Sequence, residues 1–271
     1  MFSNPSPLTP VVPPPQFQPD KTKSVVGFTY PGGKKTLAHH LIKLLPTDGN
    51  TFAEIFAGRG NLFFRVQAAL NYDSFLINDI RTAPFFNALR DFAHTIRVPY
   101  RTAEVYGLSY KSEFQRLKDL PQDDPEKIIL EPFLSFSGAG YRAGIKTGRG
   151  CGSSAGYKKT LLAAQEILRR TNPTVTSLQW HDAISMLGTD DVAYVDPPYR
   201  DCRVYGYSDS DLDHDQLIRV LKTARFRWML SEYRHPSYFQ AFGEPLWSKQ
   251  INGTQYGPGK IQRTECGWRN Y

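Results

Sequence analysis

The chain has 271 residues, 40% of them hydrophobic and 22% charged, enough to bury a sizeable core and too apolar for a disordered or fibrous chain. Lys and Arg outnumber Asp and Glu by 33 to 26, a net charge of +7, which favours a polyanionic partner such as nucleic acid. Cys151, Cys202 and Cys266 are odd in number and lack a Cys-x-x-Cys pair, so neither a disulfide framework nor a zinc site is expected, and the cytoplasm is the natural compartment.

The first twenty residues carry seven prolines and no apolar run behind a basic lead. Residues 1–24 therefore read as an extended tail, not as a signal peptide or a membrane anchor. From Val25 onward short apolar runs alternate with helical stretches, the pattern of a mainly parallel, doubly wound α/β sheet. The periodicity predicts a helix over Lys35 to Leu45, a strand over Thr51 to Phe56, a helix over Asn61 to Leu70 and a strand over Ser74 to Asn78. Arg81 to Lys159 differs, being helical at first and then rich in glycine. Further strands are predicted at Val175 to Trp180, Asp191 to Asp196 and Phe226 to Ser231, with a helix from Leu212 to Ala224 before the last of these. Pro245 to Tyr271 predicts a terminal hairpin, with turn signals at Asn252-Gly253 and Gly257-Pro258-Gly259.

Between Gly138 and Lys159 stand seven glycines and five cations, Arg142, Lys146, Arg149, Lys158 and Lys159, without one acidic residue. Glycine lets the main chain approach a phosphate backbone closely, and cations displace its counterions. These five are the candidate DNA-binding residues; a solvated loop is the alternative for the segment on its own. The six histidines are scattered, and no protein-bound metal is expected.

Thr51-Phe-Ala-Glu-Ile-Phe-Ala-Gly-Arg-Gly60 is a strand entering a glycine-bearing turn and then a helix, as nucleotide-like cofactors require. Asn78-Asp79 ends the next strand with a carboxylate where ribose hydroxyls sit in such folds. The most specific signal is Asp191-Val-Ala-Tyr-Val-Asp196-Pro197-Pro198-Tyr199. A buried strand delivers Asp196 to the sheet edge, and two prolines stiffen the following turn and remove two amide donors. The Asp196 carboxylate and the Pro197 carbonyl are then both acceptors, suited to an amino group with two hydrogens to give. Tyr199 offers a flat face for an extruded base. Such acceptors would localise the lone pair of an aromatic amine for attack on a sulfonium methyl, without metal or covalent intermediate.

Asp196 to Tyr199 and Glu54 to Gly60, with Asn78-Asp79 and Tyr30-Pro-Gly-Gly-Lys34 ahead of them, resemble Dam-type adenine DNA methyltransferases in content and order. The resemblance spans roughly Phe28 to Tyr271 and extends to Asp213-His214 and Leu217. It implies S-adenosylmethionine as cofactor and a Rossmann-like catalytic domain, residues 25–80 and 160–271, with a small, mainly helical recognition lobe inserted at 81–159. It implies Tyr30, Gly33, Lys34, Glu54, Phe56, Gly58, Gly60, Asp79 and Asp196 as cofactor contacts, and Asp196, Pro197, Pro198 and Tyr199 as the catalytic turn. Ser231-Glu232 departs from the family's usual Ser-Asn, and 81–159 resembles it too little to imply a target sequence.

The reaction expected is methyl transfer to N6 of a flipped adenine in double-stranded DNA, by a monomer without membrane association, a cognate restriction endonuclease being an optional partner. The same acceptor pair also suits cytosine's amino group or adenine in RNA. A catalytically silent DNA-binding relative and a dinucleotide-dependent oxidoreductase are the readings from other classes; the latter leaves Asp196 to Tyr199 unexplained.

Overall fold

A computed structural model of the chain describes residues 26–35, 37–99, 103–146, 153–201, 212–253 and 261–271. The proline-rich tail, Arg149 and the Gly257-Pro258-Gly259 turn lie outside them. Among the described residues a seven-stranded sheet runs in the order β3-β2-β1-β4-β5-β7-β6, formed by β1 (Asp48–Glu54), β2 (Asn71–Asn78), β3 (Thr174–Thr176), β4 (Val192–Val195), β5 (Arg227–Tyr233), β6 (Trp247–Gly253) and β7 (Ile261–Arg269). The first five are parallel, and β7 and β6 add an antiparallel edge. The terminal hairpin thus pairs Gly253 with Ile261 across its turn.

The doubly wound arrangement follows from which side chains each strand buries. All four residues of β4 are inaccessible, as a central parallel strand covered on both faces demands. Phe52 and Tyr194 point into one apolar cluster, Ala53, Ala193 and Val195 into the other. On the first side lie α1 (Ala38–Ile42), α2 (Phe63–Ala69), α3 (Ala83–Phe92), α4 (Ala103–Asp119), α5 (Pro125–Leu134) and α6 (Ser154–Thr171); on the second, α7 (Trp180–Ser185), α8 (His214–Thr223) and α9 (Pro236–Phe242). Sequence-coded caps set several ends. Asp124 accepts from the amides of Glu126 and Lys127 ahead of Pro125, Ser153 from Gly156, and Asp213 from Gln216. Asn172 ends α6 in the left-handed region, φ 40°.

Two of the departures from expectation have a visible local cause. Helix α1 has five residues instead of the eleven predicted, because the Lys34 carbonyl accepts from both Leu37 and Ala38 and makes a turn of that stretch. The strand expected at Val175 to Trp180 stops at Thr176. Asn78 accepts from the Leu178 amide and donates to the Leu178 carbonyl, drawing the chain out of the sheet, so Trp180 begins α7.

Phe85, Ile129, Leu130, Phe133, Leu161 and Leu168, from α3, α5 and α6, share one cluster with Phe28 and Phe52. The helical part of 81–159 is therefore packed directly on the sheet side of the core. Two short 3-10 turns follow it, Phe136–Gly138 and Tyr141–Ala143, closed by the Ser135–Ile145 bridge.

Candidate active site

The strand order reverses between β1 and β4, where an open α/β sheet leaves a crevice beyond its carboxyl ends. Glu54-to-Gly60 leaves β1 and Asp196 leaves β4 at that point, with Glu54 in register with Tyr194. The segment before α1 is fastened above them by Asn61, whose side chain accepts from the Phe28 amide and donates to the Phe28 carbonyl, both at 3.0 Å. That bracket carries Tyr30, Gly33 and Lys34 to the crevice. Tyr30 lies against Gly58, where a Cβ would stand 2.7 Å from the ring at φ +54°, so only glycine fits. Gly60 meets Phe86 in the same way, and Phe56 is half-buried against the second cluster.

Asp79 fixes the turn from below. One oxygen accepts from the Gly58 amide at 2.8 Å; the other accepts from the amides of Arg81 and Thr82, both at 2.9 Å, and the Thr82 hydroxyl donates to the Gly58 carbonyl. Glu54 accepts from the Phe63 amide at 3.0 Å, and burial pushes its carboxyl up to about 8. Arg59, between the two glycines, is buried, pairs with Glu131 of α5 and stands over the Phe85 ring at 4.3 Å.

At the end of β4, Lys34 Nζ lies 2.6 Å from both Asp196 oxygens, hydrogen-bonding Oδ2, and donates to the Gly32 carbonyl at 3.0 Å. It is also 3.4 Å from Glu265 Oε1 and 4.9 Å from the Tyr199 ring centroid. The Tyr199 hydroxyl donates to Glu265 at 2.7 Å, and the ring meets Tyr233 edge-on at 4.5 Å. Burial raises Asp196 to about 6, Lys34 opposing the rise; Lys34 is itself raised because the two carboxylates outweigh its own burial. Behind the turn, Glu232 is fully buried, accepts from the amides of Arg200 and Tyr233, and stands 3.6 Å from His214 Nδ1. Burial holds its carboxyl well above the usual range.

The expected catalytic turn and the expected cofactor residues thus converge on one crevice. The five basic candidates do not share one environment. Arg142 is exposed on its 3-10 turn and Lys159 on α6, while the Lys146 amide closes onto the Leu134 carbonyl. Lys158 donates to the carbonyls of Ala93, His94 and Ile96 beyond α3, so its ammonium is committed to the protein. Sequence reasoning missed Asn61, Arg59 and Glu265. A charged residue between the two glycines was the available signal for Arg59; Glu265, in the polar run Gln262-Arg-Thr-Glu265, gave none.

The crevice fits the sulfonium cofactor expected. It has a glycine turn held at positive φ under the Tyr30 ring, and at one wall a cation between the Asp196 and Glu265 carboxylates. Among the described residues no cluster of three or more His, Cys, Asp or Glu could hold a metal, and no helix is long and apolar enough to cross a membrane.

Residues 30–124 match the family model described as D12 class N6 adenine-specific DNA methyltransferase. Over 196 residues the chain is 25% identical to Type II methyltransferase M.FokI of Planomicrobium okeanokoites, an alignment covering 66% of this chain and 30% of that protein. The chain therefore spans about a third of that relative's length. The family match agrees with the resemblance read from the motifs, and it covers Tyr30 to Asp79; Asp196 to Tyr199 lie beyond it.

Proposed function

We propose that this chain transfers a methyl group from S-adenosylmethionine to N6 of adenine in duplex DNA. The observation that carries this reading is the Asp196 carboxylate at the switch point, on a two-proline turn beside the glycine turn, largely buried and held at 2.6 Å by the Lys34 ammonium. The family match over 30–124 and the similarity to a protein named as a methyltransferase support it.

In this reading Tyr30, Gly33, Lys34, Glu54, Phe56, Gly58, Gly60 and Asp79 hold the cofactor, which supplies an electrophilic methyl when bound. The target base leaves the stack at a cost of about a few kcal/mol, offset in the pocket. Asp196 and the Pro197 carbonyl accept the two amino hydrogens, which draws the nitrogen lone pair out of the ring. Pro198 keeps the turn rigid, and Tyr199 offers its ring to the base. The exposed cations Arg142 and Lys159 meet the phosphates, and the basic run assigns Lys146 and Arg149 to the same backbone by sequence. A monomer acting in the cytoplasm, alone or beside a cognate restriction endonuclease, completes the proposal.

Incubation of the purified chain with methyl-labelled cofactor and mixed-sequence duplex DNA, or RNA in a parallel reaction, followed by mass spectrometry of the nucleosides, tests it. N6-methyladenine is expected. N4-methylcytosine, or label in RNA alone, would reassign the acceptor, and absence of transfer to any of these would overturn the reading.

A further inference from the structure

In this structure Lys34 occupies both places that an incoming base needs. Its ammonium sits on the Asp196 carboxylate at 2.6 Å and over the Tyr199 ring at 4.9 Å. An amino group cannot be gripped by Asp196, nor a base stacked on that ring face, until the ammonium moves. It cannot move freely, because Lys34 is buried and an unpaired cation there would be costly. One further anion is within reach, Glu265, only 7% exposed, with Oε1 at 3.4 Å from Nζ. The sheet itself sets it there. Strand β7 pairs antiparallel with β5 so that Glu265 faces Tyr233, whose ring abuts Tyr199. The same Oε1 accepts the Tyr199 hydroxyl at 2.7 Å.

We propose that Glu265 is a positioning residue of the methyl-transfer site: it takes over the Lys34 ammonium from Asp196 when the target base enters, and it fixes Tyr199 through the hydroxyl. The inference rests on the function proposed above. Two carboxylates share one cation before the base arrives. Afterwards Lys34 and Glu265 form the pair, and Asp196 is free to accept the amino hydrogens. Neither step makes or breaks a covalent bond.

The full chain carrying E265Q, which keeps shape and removes charge, tests this at saturating DNA and cofactor. Single-turnover transfer is expected to slow tenfold or more, while the dissociation constants for cofactor and DNA stay within about threefold. E265D, which retains the charge, is expected to keep at least a third of the wild-type rate. An unchanged rate in E265Q, or a loss confined to the dissociation constants, would overturn the proposal. A second measurement needs no turnover: thermal unfolding of wild type, K34M, E265Q and the double variant. Non-additive shifts are expected, since each single change removes the same pair, and additive shifts would overturn the proposal. A wild type that transfers no methyl refutes the proposed function alone, and the unfolding cycle then still decides the Lys34–Glu265 pairing. Should E265Q not fold, E265A takes its place in the cycle, and a tenfold rate loss in folded E265D would equally count against the charge.

Discussion

Lys34 and Asp196, 162 residues apart in the chain, form a largely buried ion pair at 2.6 Å. The pair leaves Asp196 raised only to about 6, because the ammonium offsets part of the burial. Amino hydrogens can be accepted by a carboxylate and not by a carboxylic acid carrying its own proton on the facing oxygen. The rate of transfer is therefore expected to rise as Asp196 ionises, with an acid limb centred near pH 6 instead of near 4. In K34M the limb should move to higher pH, since the opposing cation is gone. The pH profile of kcat/KM, which reports the free enzyme with the pair in place, measures both; a wild-type limb near 4 would remove Asp196 from the role.

Replacing Asp196 by Asn or Ala should cost roughly 10²–10³ in the rate of transfer, the scale of losing one preorganised group at a reacting centre. DNA affinity should be retained, because Asp196 lies in the crevice and the exposed cations lie elsewhere. Rapid-quench transfer and a filter-binding isotherm on the same preparation separate the two. Near-normal methylation would exclude the mechanism.

Glu54 is raised to about 8 by burial, against an ordinary 4.5. The folded chain therefore holds this proton more tightly than the unfolded chain. The resulting stability is fully present below pH 4.5 and is lost as pH climbs through about 8, at about 1.4 kcal/mol per pH unit for one proton. E54Q keeps an oxygen for the Phe63 amide but cannot ionise. Urea midpoints between pH 5 and 8 should thus show a slope in the wild type that is shallower by about one proton in E54Q; equal slopes would show that Glu54 titrates normally.

What the sequence disclosed about this site depended on how local the cause was. Strand β4 was legible because burial on both faces leaves an unbroken apolar run, and Gly58 and Gly60 because positive φ selects glycine. The partial shift in α1 and the early end of β3 arise from local hydrogen bonds that periodicity does not encode, chiefly the hold of Asn78 on Leu178. Glu265 was invisible for a different reason. In Thr264-Glu265-Cys266 it reads as an outward residue of a hairpin, and only the pairing of β7 beside β5 turns it toward Lys34. Lys158 misled in the opposite direction: it belongs to a basic run by composition, and by geometry it caps α3.

Asp79 serves three backbone donors, the amides of Gly58, Arg81 and Thr82. D79A leaves these without an acceptor, and the buried Gly58 amide alone should cost about 1–3 kcal/mol. The turn that shapes the crevice should loosen with it, so cofactor affinity should fall together with the melting temperature. D79N is expected to lie between, because its one oxygen can serve Arg81 and Thr82 while its amide faces the Gly58 N–H. Calorimetric melting and cofactor titration of both variants test the order; equal stability of D79A and wild type would show the bonds to be replaceable.

The basic candidates should separate by salt dependence. Lys158 commits its three ammonium hydrogens to the carbonyls of Ala93, His94 and Ile96, and burial lowers its basicity. K158M should therefore cost stability, about 1–3 kcal/mol, for the carbonyls it abandons, and leave the slope of log affinity against log salt unchanged. Arg142 and Lys159 are exposed, and removing one cation from a phosphate should flatten that slope by roughly 0.9. A double R142A/K159A variant is thus expected to flatten it by roughly 1–2 with its melting temperature intact. Binding isotherms at several salt concentrations decide between the two assignments. A flattened slope in K158M would return that lysine to the DNA, and an unchanged slope in the double variant would leave the glycine-rich segment a solvated surface.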